Sequence, residues 1–194
     1  MKRLIVCILA AAAGSAQAAG IGVRAGTTGI GVDVAWDLAP TLSTRLGYSA
    51  LKWNHDVETS NLEYDGKLKL SNLNAMVDFH PLGPLFRLTG GLIFNNNKYD
   101  VSALGGALTG TVTPERDVAP YLGIGWGTVA GAGIGFYADI GIMFMGTPKA
   151  TLRCSGLPAS TCASLVAGEQ ARLQDELDHL KHYPVINLGL TIGF

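Results

Sequence analysis

The chain has 194 residues, with 14 basic residues against 15 acidic ones, a formal net charge of −1, and 26 glycines. Charged residues make up only 15% of it, well below the roughly 25% of an ordinary soluble domain. No clustered basic face points to nucleic acid, and the length fits one domain.

The first element is an export signal over residues 1–18. Lys2 and Arg3 form its charged head, Leu4 to Ala13 its short apolar run, and Ala16-Gln17-Ala18 the small residues of a cleavage site. Cys7 lies inside it behind Leu4-Ile5-Val6, not the small residues of a lipoprotein signal. Few charges and many glycines behind an export signal predict a chain that ends in a membrane. Lipid allows only helices or a closed barrel there, because unpaired backbone groups find no water. Leu122 to Ala138 is the best helix candidate, but it holds six glycines and runs into Asp139. Each glycine costs a helix about 1 kcal/mol relative to alanine.

Strict alternation accounts for the same residues better, since a strand sends successive side chains to opposite faces. Eight segments show it over residues 19–194. In the first, Ile21, Val23 and Ala25 alternate with Gly22, Arg24 and Gly26. In the second, Ile30, Val32, Val34, Trp36 and Leu38 alternate with Gly31, Asp33, Ala35 and Asp37. The third sets Leu42, Leu46 and Tyr48 against Arg45, Gly47 and Ser49, and the fourth Leu73, Val77 and Phe79 against Asn72, Asn74, Met76 and Asp78. The fifth carries Phe86, Leu88, Leu92 and Phe94 opposite Arg87 and Thr89. The sixth carries Leu122, Ile124 and Trp126 opposite Tyr121. The seventh places Phe136, Ile140, Ile142 and Phe144 opposite Tyr137 and Asp139, and the eighth runs Ile186, Leu188, Leu190, Ile192 and Phe194. No charge falls on the apolar face. Leu68 and Leu70 are out of phase with Leu73, which predicts a β-bulge near Ser71 or an inward turn of those leucines.

The connections alternate in length, as a barrel with a short-turn side and a long-loop side requires. Short links lie at Pro40, at Pro81 to Pro84 and at Thr128 to Gly133. Long ones are expected at Asn54 to Asn61, Lys98 to Asp117 and Thr147 to His182. The predicted fold is an eight-stranded antiparallel up-and-down transmembrane β-barrel, with both termini periplasmic and the long loops outside.

"YDGKLKL", "FRLTGGLIFNNNKYD", "VAPYLGIGWG", "GTPKATL" and the closing "YPVINLGLTIGF" carry a resemblance over nearly the whole chain after the signal. The chain resembles the small eight-stranded outer-membrane barrels of the OmpA membrane-domain, OmpX and OmpW kind. More narrowly, it resembles a widespread set of Gram-negative outer-membrane proteins without an assigned activity. The resemblance implies a bacterial outer-membrane location. It also implies that Phe194, closing the last strand, is a recognition signal for the barrel-assembly machinery.

The inner face holds Arg24, Arg45 and Arg87 against Asp33, Asp37, Asp78 and Asp139. Eight strands enclose a space that side chains just fill, so these charges must pair. A polar conduit or proton path is one reading; a satisfied plug is the other, favoured by the narrow lumen and near-balance of sign. Trp36, Phe79, Phe86, Trp126 and Phe136 read as an interfacial girdle at the short-turn ends, with Phe94 and Phe144 nearer the other side.

Cys154 and Cys162, in the longest loop of an exported chain, read as a disulfide. A zinc site is the weaker alternative, because His179 and His182 lack a second ligand pair at finger spacing. After Cys162, Leu173, Leu177 and Leu180 recur at helical spacing, and Arg172 stands four residues from Glu176. They predict a short amphipathic helix before the last strand, placed as a cap, on the outer leaflet or as a binding face, with the cap preferred. His55, His179 and His182, near Asp56, Asp175 and Asp178, are candidate general bases without a serine nucleophile at a recognisable spacing. The functional expectation is a monomeric, non-enzymatic barrel without cofactor or metal, whose outer loops meet lipopolysaccharide, host or solute. A narrow conduit for small or hydrophobic solutes is the runner-up, and a lipid A-modifying enzyme comes third.

Overall fold

The computed structural model describes residues 18–59, 62–103, 106–156, 158–178 and 180–194; the expected export signal, Ala18 apart, lies outside them. The strands are β1 (Ala19–Gly26), β2 (Gly29–Ala39), β3 (Leu42–Thr59), β4 (Leu62–Phe79), β5 (Phe86–Asn95), β6 (Lys98–Ala103), β7 (Leu108–Thr113), β8 (Val118–Gly127), β9 (Gly133–Met143) and β10 (Lys149–Cys154). A helix, α1 (Ala159–Leu177), and the last strand, β11 (Tyr183–Gly193), follow. Eight of these strands close an antiparallel barrel in the order β1, β2, β3, β4, β5, β8, β9, β11. Closure is made by β11 against β1, with Ile192 opposite Ile21 and Leu190 opposite Val23, and the Phe194 N–H donates to the Ala19 carbonyl at 2.9 Å.

Alternation sets the register. A slip of one residue would carry every outward isoleucine into the lumen and every inward charge into lipid. Outward positions therefore face outward positions all round, as with Leu46 between Val34 and Ala75. The outside is a continuous apolar surface: Ile134 is 87% exposed, Ile192 66% and Leu122 62%. A monomer in water does not expose such a belt; in lipid it costs nothing.

Glycine is abundant because the inside is crowded. A side chain at Gly47 would collide with the Asp33 carboxylate, and one at Gly189 with the Tyr137 ring. At Gly125 a Cβ would lie 2.5 Å from an Asp139 oxygen and 2.6 Å from Arg87 Nε. Small residues on some strands make room for arginine and tyrosine from others.

Outside the barrel the wall forks. Asn72–Phe79 of β4 pair with β5, but Asp65–Lys69 pair with β6, which continues to β7 and then β10. The fork sits at Asn95-Asn96-Asn97. Asn96 N–H donates to the Ser71 carbonyl at 3.0 Å, and Ser71 N–H donates back to Asn97 Oδ1 at 2.9 Å. Asparagine suits this corner because its side chain substitutes for backbone where the ladder changes partner. The result is a wing, a sheet in the order β3, β4, β6, β7, β10, at the long-loop end.

Several expectations are corrected here. The long loops are largely strand: β3 and β4 pair out to Thr59 and Leu62, and Lys98 to Asp117 contains the β6–β7 hairpin. A sheet standing in water needs no lipid face, so its sequence lacks the membrane pattern. The β3–β4 ladder is unbroken from Leu42 opposite Phe79 to Thr59 opposite Leu62, so no bulge forms near Ser71. Leu70 instead turns inward and is buried; above the belt the outside is water, and the sign of the pattern reverses. The helix begins before Cys162 and ends at Leu177, leaving Leu180 exposed beyond it. It packs against β10, and among the described residues no barrel strand shares a comparable contact with it. The Gln174 amide fastens it, donating to the Pro148 carbonyl at 3.0 Å while its oxygen accepts from Ala150 N–H at 3.4 Å. The Glu176 side chain, proposed partner of Arg172, lies outside the described residues.

Candidate functional site

The barrel interior collects most of the predicted charges. Arg45, from β3, reaches across the lumen. Its Nε and Nη2 donate to the two Asp78 oxygens at 2.7 and 3.0 Å, and its Nη1 donates to Asp139 Oδ2 at 2.8 Å. Arg87, fully buried, donates to Asp139 Oδ1 at 2.6 Å and to the Gly127 carbonyl at 2.8 Å. Arg24 donates to Asp33 Oδ1 at 2.7 Å and to Asn74 Oδ1 at 2.5 Å. Three arginines thus meet three aspartates, and two neutral donors add to the set. Thr89 donates to Asp78 at 2.5 Å, and the Tyr137 hydroxyl donates to Asp33 Oδ2. The Tyr137 ring adds a further contact, with the Arg45 and Arg87 Cζ atoms 5.5 and 5.3 Å from its centroid.

Asp37 does not join this set. The β2–β3 register shifts between Asp37 and Ala39, and Asp37 ends in a recess at the short-turn rim beside Ser43, His80 and Thr128. Asp37 keeps the inward phase, opposite buried Ser43, but it stands at the short-turn end and forms no ion pair with the three arginines.

Apolar and turn residues pack into both ends. Met76, Ile93, Ala119, Tyr121, Met143 and Val185 pack inside the long-loop half. The tight β1–β2 hairpin folds over them: Gly29 adopts φ 106°, buried Thr28 bonds to Asn187 at 3.2 Å, and Tyr183 Oη donates to the Thr27 carbonyl at 2.7 Å. At the other end Val129, 3% exposed, tucks into the barrel against Ala35 and Tyr137. Thr191 holds this turn by donating to the Thr128 carbonyl at 3.1 Å. Between the layers lies a cavity of about 20 Å³ beside Arg24, Asn72, Asn74 and Tyr121. That is room for about one water. Arg24 Nε and Asn72 Oδ1, both lining it, have no protein hydrogen-bond partner.

Asn74, Thr89 and Tyr137 were legible as inward positions, but nothing marked them as partners of particular charges. Thr28 and Val129 sit in turns, where periodicity says nothing.

The predicted aromatics lie on the outer surface. Phe86 stands directly opposite Trp126, their ring centroids 6.0 Å apart and edge-to-face, and Phe79 and Phe136 are exposed. Trp36 is half-buried in the second strand. Phe144 follows the last residue of β9, is half-buried, and its ring packs edge-to-face on His182 at 5.3 Å. Phe194 is 72% exposed at the short-turn rim.

Cys154 and Cys162 form the disulfide, with Cα atoms 5.5 Å apart, tying the end of β10 to the first turns of α1. Among the described residues no group of three His, Cys, Asp or Glu side chains could hold a metal ion. The His55 and His179 side chains lie outside the described residues; His80 is at the short-turn end, beside Asp37.

A closed eight-stranded antiparallel barrel, apolar outside and polar within, has the architecture of a transmembrane β-barrel. Solved structures show the same fold. The chain is similar to CarO of Acinetobacter baumannii at 22% identity and a TM-score of 0.66, over 90% of this chain and 97% of that one. It is similar to CarO2 of the same organism at 21% identity and 0.67, over 93% and 100%. A major outer membrane protein from Thermus thermophilus matches at 15% identity and 0.52, over 93% and 100%. No protein-family model matches the chain, and no curated protein matches it in sequence.

Proposed function

We propose that this protein is a non-enzymatic barrel of the bacterial outer membrane that acts through its long-loop face. The observation that carries the reading is the division of labour in the chain. The lumen is filled by a neutral ion network between two apolar seals, while a five-stranded wing and a disulfide-anchored helix project from one end. The outer-membrane likenesses of the fold and the export signal support the location. On this reading Phe194, which closes the ladder with Ala19, serves as the assembly signal.

Two measurements test it. Purified protein in planar bilayers is expected to give no conductance steps; reproducible steps abolished by neutralising Arg45 and Asp139 would favour a conduit instead. Gly168→Cys, on the open face of α1, should react with a membrane-impermeant maleimide on intact cells. Labelling only after permeabilisation would overturn the orientation.

A further inference from the structure

On the outward face of the wing three lysines stand in one row. Lys52 of β3 is the direct register partner of Lys69 of β4, and Lys69 is the direct partner of Lys98 of β6. Residues directly opposite in an antiparallel ladder have Cβ atoms about 5 Å apart, and like charges so placed are destabilising. All three are exposed. Compensation is slight: Lys69 Nζ lies 3.2 Å from Asp100 Oδ2, and the other Asp100 oxygen accepts from the Thr111 hydroxyl at 2.9 Å. Lys67, opposite Asp100, adds a fourth positive charge one outward rung higher. The acidic residues of the same hairpin, Asp56, Glu58, Glu63 and Asp65, begin only at the next rung beyond.

The height of the row identifies its surroundings. On β4 the outward residues from Phe79 to Leu73 are apolar. From Phe79 to Lys69 the strand rises about 33 Å at ~3.3 Å per residue. At a tilt near 40° this is about 25 Å along the barrel axis, the height of the apolar band of such barrels. The in-register rung Tyr48–Leu73–Phe94 forms the top of that band, and the lysines stand just above it. They line an open groove of about 530 Å³ together with Tyr48, Ser71 and Asn96. A row of ammonium groups directly above acyl chains fits phosphates carried on a lipid.

We propose that Lys52, Lys69 and Lys98 bind the phosphorylated headgroup of a lipid in the leaflet around the long-loop end, of the diphosphorylated glycolipid class. This rests on the orientation proposed above. The site is on the outer wall, apart from the lumen.

The test uses the full mature barrel in detergent, titrated with diphosphoryl lipid A and with lipid A stripped of its phosphates. The wild type should prefer the diphosphorylated form by at least about tenfold, with the preference falling as salt rises. The triple variant Lys52→Gln, Lys69→Gln, Lys98→Gln should lose it while keeping heat-modifiable electrophoretic mobility, and the triple Lys→Arg variant should retain it. Equal binding of the two lipids by the wild type, or an unchanged preference in the folded Gln variant, would overturn the proposal. So would inorganic phosphate displacing the lipid at equal concentration, since the site would then hold free phosphate. If Gly168→Cys is labelled on intact cells but lipid discrimination is absent, the lipid site fails and the orientation stands. Labelling only from inside would remove the orientation itself.

Discussion

Arg45 and Asp139, 94 residues apart in the chain, meet in the middle of the barrel at 2.8 Å, and the same guanidinium grips Asp78 with two further bonds. One side chain therefore ties β3, β4 and β9 together from inside. Buried ions repay their desolvation only when every partner is present.

Removing that one cation should be costly. Arg45→Met leaves Asp78 and Asp139 sharing Arg87 and is expected to destabilise the barrel by about 3–5 kcal/mol. Urea unfolding of protein refolded into vesicles reads this as a lower midpoint. Arg45→Lys should not restore stability, because one ammonium lacks the fork that spans both carboxylates.

Crowding inside and freedom outside give a second contrast. Gly47→Val drives a branched side chain onto Asp33 and Asn74, and overpacking of this kind costs about 1–3 kcal/mol or more. Gly90 faces outward, its nearest neighbour a Leu122 methyl at 3.7 Å from a built Cβ. Gly90→Ala should leave the unfolding midpoint unchanged or raise it slightly.

The disulfide should stabilise the wing and leave the barrel alone. Replacing Cys154 and Cys162 by serine removes a short loop closure with a chain-entropy value of about 2.5 kcal/mol. The expected result is faster protease cleavage within α1, with the heat-modifiable shift of the barrel retained. Loss of that shift would show that the helix supports the barrel.

Asp100, on the wing, is held below the usual carboxylate range chiefly by the Thr111 hydroxyl, with Lys69 contributing. A folded pKa below the unfolded one gives stability that is present above about pH 4 and lost as pH falls through the lower folded value. Thr111→Val should raise the Asp100 pKa towards 3.8, its ordinary value. Carboxyl-carbon NMR of labelled protein follows it directly, and wing stability should be flat between pH 5 and 8 in both proteins.

The eight strands could be read from alternation alone because lipid imposes one rule at the outward positions: uncharged, and nearly always apolar. Ile21, Val34, Leu46 and Leu190 obey it separately, with no knowledge of their neighbours. The inward residues obey a weaker rule, that polar and small side chains fill a closed space, so their phase was legible but their pairings were not. Which carboxylate Arg24 or Arg45 takes depends on strand tilt and on the glycines opposite. Asp37 shares the inward phase yet stands apart from the network at the short-turn rim, because phase does not give height along the barrel.

Beyond the membrane the rule disappears. The wing, the fork at Asn95 to Asn97 and the row Lys52–Lys69–Lys98 are made by register between strands distant in sequence, and in water no solvent constraint writes that register into a pattern. The sequence by itself determined the barrel, its eight crossings and its inner and outer faces, because lipid selects residues one at a time. Only the tertiary structure decided that the lumen charges pair, that Thr28 and Val129 are buried at its two ends, and that three lysines share a rung, because those depend on which residues the closed sheet brings side by side.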